Sequence, residues 1–221
     1  MSIEETKQCL KRINKSYLYL AIICLTLIIS IIWQKNDAKR SVEDQKSIND
    51  ASVMYDSGQK LEAIDLAREI LAQNPNNKEV QIKLARFYYQ NNDYDNYLKF
   101  VSESSLHDST IYNMAANIYQ DRGDDLKAEE YFRKAIEANR KNVQSYINLS
   151  AYFQSRGKLD KAVQILNEGM IQDSKSTLLL ISAASVSIKS KQQEAAKEYL
   201  NTVLQIDPEN TQAKTMLGSL L

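Results

Sequence analysis

The side chains that could carry out chemistry on a substrate are few and scattered. In 221 residues there is one histidine, His107, and the two cysteines, Cys9 and Cys24, both lie near the start. A nucleophile–base relay needs its base beside its nucleophile, and a zinc site needs three or four ligands converging on one point. With a single histidine and no cysteine beyond Cys24, neither can be assembled from those residue types. No glycine-rich phosphate loop is present. The acidic pairs Asp124-Asp125 and Glu129-Glu130 fall at a turn and on a polar face, where solvated carboxylates are expected. The expectation is a chain with no catalytic residues, no metal and no cofactor.

Charge and composition say what kind of body surrounds these residues. Lys+Arg and Asp+Glu balance at 28 each, but residues 1–40 carry seven basic and three acidic side chains, leaving +4 there and −4 on the rest. A mildly acidic body is a poor electrostatic match for nucleic acid, so no nucleic-acid partner is expected. The basic end suits anionic lipid headgroups. With 5 glycines and 2 prolines, few turns or extended linkers can be built, which favours an almost wholly helical chain. The cysteine positions rule out a disulfide framework after Cys24 and leave the redox compartment open.

No charged residue occurs between Lys15 and Lys35, and the segment 16–34, with Ser16 and Gln34 at its ends, is close to the ~20 residues a helix needs to cross a bilayer. Tyr17 and Tyr19 at one end and Trp33 at the other suit the headgroup boundary, with Lys15 and Lys35 just outside. Cys24 then reads as a small hydrophobe facing lipid. A cleaved signal peptide would need a small-residue site after the apolar run, but Ile31-Ile32-Trp33 is bulky. The expected order is a basic tail (1–15), a transmembrane helix (16–34) that contacts membrane lipid, a polar stalk (35–43) and a repeat domain (44–221). Four basic residues flank each side of the span (Lys7, Lys11, Arg12, Lys15; Lys35, Lys39, Arg40, Lys46), so positive-inside bias does not decide the orientation. A short basic tail before a single span usually stays in the cytoplasm. The repeats are therefore expected on the extracytoplasmic side, with a cytosolic placement as the alternative.

The repeat domain is read from one beat. Gly58, Asn92, Gly123, Gly157 and Lys191 occupy an equivalent turn, at spacings of 34, 31, 34 and 34 residues. A period in this range marks stacked helical hairpins, each of which buries its face only against its neighbours. With the turn at position 15, units start at residues 44, 78, 109, 143 and 177, and a cap helix occupies 211–221.

Within this register small residues recur at positions 8 and 20: Ala51 with Ala63, Ala116 with Ala128, Ser150 with Ala162, and Ala184 with Ala196. Large residues such as Leu84, Tyr112, Phe132, Tyr146 and Leu200 fill the positions between, and Pro75 and Pro208 stand at position 32. This Gly/Ala/aromatic/Pro pattern resembles the tetratricopeptide repeat, and the resemblance covers nearly everything after the stalk. It implies an all-α, right-handed superhelical stack of hairpins. It also implies that the first helix of each unit lines a concave groove for a peptide or a helix of a protein partner. On the matching positions that groove would carry Arg86, Tyr89 and Gln90, then Asn113, Asn117 and Gln120, then Gln144, Asn148 and Gln154. Amides both donate and accept, which suits contact with a peptide backbone. Some members grip a C-terminal carboxylate with two asparagines and three cations. Here Asn117 and Asn148 match the asparagines, but Asn113, Leu178 and Ser182 stand where cations would be, so that grip is not expected.

Two departures sharpen the reading. The first helix of unit five is apolar on more than one face, placing Leu178, Ile181 and Ile188 on the groove side as an apolar patch. The cap helix, through Leu217, Leu220 and Leu221, could instead cover it. Unit two is three residues short and holds Tyr97 where other units have alanine, so an altered helix crossing is expected near Leu106-His107-Asp108, unless the phenol rotates outward. The chain thus reads as a non-enzymatic, membrane-tethered scaffold of bacterial type, serving a translocation, pilus or envelope, or maturation assembly. A cytosol-facing receptor or adaptor, or a holdase, is the alternative. A homo-oligomer is left open.

Overall fold

The computed structural model describes the backbone of residues 3–220, and the side chains of these except 3–18, 21, 37, 38 and 40–42. All regular structure in this range is α-helical, and the chain divides into two compact units, Met1–Pro75 and Asn76–Leu221. The first unit contains α1 (Ile3–Asp56) and α2 (Lys60–Gln73). The second contains α3 (Lys78–Gln90), α4 (Tyr94–Glu103), α5 (Ser109–Asp121), α6 (Asp125–Ala138), α7 (Val143–Ser155), α8 (Leu159–Gln172), α9 (Thr177–Lys189), α10 (Gln193–Ile206) and α11 (Thr211–Gly218).

The boundaries follow from local chemistry. Asn77, Asp108, Asn142, Ser176 and Asn210 cap α3, α5, α7, α9 and α11, each accepting from a backbone N–H of the first turn. Between the two helices of each hairpin the backbone turns through a left-handed residue: Gly58, Asn92, Gly123, Gly157 and Lys191 all have φ between 57° and 96°. The following N–H reaches back five residues, as from Asp124 to Tyr119 O and from Asp93 to Tyr88 O (both 2.9 Å), closing a Schellman turn. Glycine adopts this geometry freely, while Asn92 and Lys191 do so with a side chain in place.

The small residues sit at the hairpin crossings. Ala51, Ala63, Ala116, Ala128, Ala162, Ala184 and Ala196 have no exposed surface, and Ser150 has 1%. Gly169 takes this further: a Cβ there would lie 2.9 Å from Tyr146 Cγ and 3.1 Å from Leu179 Cδ2, so α8 reaches its neighbours only because it has none.

Unit two is different, in the way its shortness implies. α4 has 10 residues where α6, α8 and α10 have 14. α3 and α4 approach closely along far less of their length than the helices of the later hairpins do. Tyr97 does not rotate outward: it is fully buried, and its hydroxyl donates to Ile111 O (2.6 Å). A phenol thus occupies the space an alanine leaves to the partner helix elsewhere.

No helix stretch long and apolar enough to cross a membrane is found among the described residues. Within the expected span, residues 16–34, the side chains of 16–18 and 21 are not among those described. The segment 35–43 is a continuation of α1.

Candidate functional site

The helices that open each hairpin in the second unit, α3, α5, α7 and α9, pack side by side. Their buried edges hold the stack together, and their free edges form one face. On it Arg86, Gln90, Asn117 and Gln144 are exposed, and Tyr89, Gln120, Asn148 and Gln154 are half-buried. Two contacts pre-order this face. Gln144 Nε2 donates to Asn148 Oδ1 (2.8 Å) one turn on, and Lys189 Nζ on α9 donates to Gln154 Oε1 on α7 (2.8 Å). Tyr89 is held by its neighbours, its ring centroid 5.6 Å from both Tyr94 and Tyr97 and edge-on to the latter. Aromatic pairs at this spacing are attractive, and a side chain fixed in this way loses little freedom on meeting a partner.

The structure brings two of the expected residues elsewhere. Asn113 is not on the open face: it is buried between α5 and α7, where its Nδ2 donates to Ser109 O and Ser145 Oγ (both 2.9 Å). Asn142 Nδ2 donates to Ser109 Oγ (2.8 Å), completing a polar seam between units three and four. The reason is the close packing of α5 on α7, which turns position 5 of unit three inward. The repeat register does not announce this seam; its only trace in the sequence is the pairing of Ser109 and Asn113 with Asn142 and Ser145 one repeat later.

The apolar patch is likewise corrected. Ile181 is 9% exposed and belongs to a core with Leu180, Ala184, Leu200, Val203 and Ala213, against which Met216, Leu217 and Leu220 pack. The cap helix covers it. Leu178 stays exposed (60%) and Ile188 is half-buried, so no continuous apolar surface joins the three. Leu221 lies outside the described residues.

Other electrostatics on this unit are structural. Burial raises the pKa of Tyr97, and less completely those of Tyr112, Tyr131 and Tyr146. The turn edge is laced by Arg122–Asp95 (2.9 Å) and Arg156–Asp125 (2.6 Å), each joining consecutive repeats. Among the described residues no three His, Cys, Asp or Glu side chains gather as metal ligands. The face offers hydrogen bonds, two cations (Arg86 and Lys189) and an ordered aromatic ring.

Comparison with known proteins agrees with this architecture. Family models described as tetratricopeptide repeat match residues 54–96, 109–142, 131–164 and 179–210. No curated protein matches the chain. Among solved structures, MamA aligns at 18% identity over 75% of this chain and 92% of its own, with a TM-score of 0.59. YrrB, described as a TPR protein with an unusual peptide-binding site, aligns at 16% identity over 80% of this chain and 95% of its own, with a TM-score of 0.55. The C-terminal part of a TPR repeat-containing protein from Cytophaga hutchinsonii aligns at 16% identity over 78% of this chain and 77% of its own (TM-score 0.58). At these identities the likeness is one of fold.

Proposed function

The chain belongs to the tetratricopeptide repeat family, and on that premise we propose that it is a membrane-tethered scaffold whose α3–α5–α7–α9 face binds a peptide or helix of a protein partner. The observation that carries the binding reading is the row of polar side chains on adjacent helices, Arg86, Gln90, Asn117 and Gln144 exposed and Asn148 half-buried, with Tyr89 held at its edge. Backbone amides of an extended segment can be met by such a row without a demanding side-chain sequence. Tetratricopeptide repeat proteins are generally non-enzymatic scaffolds, which supports a role without catalysis.

Tethering is supported by the charge-free segment 16–34 and by the aliphatic side chains described within it. Leu20, Ile23, Leu25, Leu27, Ile28, Ile29, Ile31 and Ile32 are each 54–62% exposed, on a helix with no other described element packed against them. Water would penalise that surface by roughly 25 cal/mol per Å², and lipid removes the penalty. On this reading the repeats lie on the extracytoplasmic side and serve a translocation, pilus or envelope, or maturation assembly. Tethering raises the local concentration of repeats near membrane partners.

The test is site-specific photocrosslinking in intact cells. A photoreactive residue at Asn117 or Asn148 is expected to capture a protein partner, and one at Leu126, exposed on α6, is not. Capture from Leu126 alone would refute the binding face. Protease treatment of sealed vesicles reads the orientation: protection of the repeats in inside-out vesicles is the expected result, and digestion there would place them in the cytosol.

A further inference from the structure

We propose that α1 is a rigid spacer that fixes the height of the first hairpin above the bilayer; this rests on the membrane-tether reading. Tethered binding modules commonly hang from a flexible linker, and this chain has none in α1. The helix runs unbroken from Ile3 to Asp56, and no glycine or proline occurs before Gly58. One end of the rod carries the exposed apolar segment, in which Leu25, Ile28 and Trp33 are 60%, 54% and 67% exposed. The other end is itself the first helix of the α1–α2 hairpin. There Ile48 and Ala51 are fully buried, and Asp44, 8% exposed, accepts a hydrogen bond from Asn74 Nδ2 of the α2 C-cap (2.9 Å). The hairpin therefore cannot pivot about the rod, because the rod is half of it.

The intervening turns are polar in sequence, with Gln34, Lys35, Asn36, Lys39 and Glu43 exposed, and in isolation so short a helix would be marginal. Here each end is already helical, held by lipid on one side and by α2 on the other. Only propagation is required, without the unfavourable nucleation step. The Lys39–Glu43 contact (3.8 Å) adds a weak pair one turn apart. Trp33 and Asp44 are eleven residues apart, which at 1.5 Å per residue is a stand-off of about 16 Å. A flexible linker of that length would have an r.m.s. span of about 18 Å. The two cases differ in the width of the distance distribution, and hardly in its mean.

The experiment uses the full chain reconstituted in phospholipid vesicles, in a Cys9→Ser, Cys24→Ser background. Spin labels are placed singly at each position from 34 to 50, and as a pair at Lys35 and Asp50. The expected result is the ordered, intermediate mobility of helix-surface sites from 34 to 43, passing into a 3.6-residue period from 44 to 50, where Asp44 and Ile48 are buried and α1 packs on α2. The pair is expected to give one narrow distance near 22 Å, which broadens when Gly-Gly-Ser-Gly is inserted after Lys39. Uniformly high mobility and a broad distribution in vesicle-bound protein would overturn the spacer and leave the tether intact. Failure of the protein to partition into vesicles would overturn the tether and the spacer with it.

Discussion

Tyr97 donates its phenolic hydrogen to the carbonyl oxygen of Ile111 at 2.6 Å, from a position with no exposed surface. The bond ties α4 to α5 at the repeat that is three residues short. It answers a problem the short repeat creates: a large side chain at a helix crossing opens the hairpin, and its polar tip must then find a partner in the interior. Tyr97→Phe keeps the ring and removes the bond. It is expected to lower stability by about 1–2 kcal/mol, while Tyr97→Ala, which leaves a cavity, should cost about 3–5 kcal/mol. Urea denaturation followed by circular dichroism measures both. Equal costs for the two variants would show that the hydroxyl, and not the ring, supports this joint.

The buried phenols also set a response to alkali. Burial raises the pKa of Tyr97, Tyr112, Tyr131 and Tyr146 in the folded protein, with Lys134 or Arg140 partly opposing it at the latter three. An unfolded chain releases these protons near pH 10, and the folded one retains them. The folded state then binds more protons, so this contribution is fully present below about pH 10 and is lost as pH rises further. The unfolding midpoint is expected to fall between about pH 9.5 and 11, and less steeply in Tyr97→Phe. An identical slope in that variant would remove Tyr97 from the account.

Gly169 separates helix propensity from packing. Glycine to alanine within a helix ordinarily gains about 1 kcal/mol. At Gly169 the new methyl would meet the Tyr146 ring at 2.9 Å and both Leu179 methyl carbons at 3.1 and 3.2 Å. Overpacking of this kind costs about 1–3 kcal/mol, so Gly169→Ala is expected to destabilise. Gly218→Ala, with nothing within 4 Å, should be neutral or mildly stabilising. Thermal melting of the two variants side by side makes the comparison.

Ser150 is the one hydroxyl among the four small-residue crossings. Its oxygen is buried with no hydrogen-bond partner, where the equivalent residues are Ala51, Ala116 and Ala184. An unsatisfied buried hydroxyl costs on the order of 1–3 kcal/mol. Ser150→Ala should therefore raise the denaturation midpoint by the equivalent of about 1 kcal/mol. A loss of stability would mean that the hydroxyl has a partner, such as a bound water.

The beat of turn residues was legible in the sequence because a left-handed turn leaves a chemical signature. Glycine holds three of the five places, and the helix periodicity aligns Asn92 and Lys191 with them. The caps and the small pairs were legible for the same reason: each depends on residues near in sequence, or on a crossing repeated in every unit. The open or buried state of a polar side chain on these helices was not. Asn113 and Asn117 lie one helical turn apart and have nearly the same local environment in the sequence. Only the approach of α7, which brings Ser145 to 2.9 Å, draws Asn113 inside and leaves Asn117 out. Ile181 went the same way, covered by α11, whose packing requires a contact between segments some thirty residues apart. Local rules set the helices, their ends and their register. Which edge of each helix stays open depends on the distance to its neighbour, and that is decided only when the stack is built.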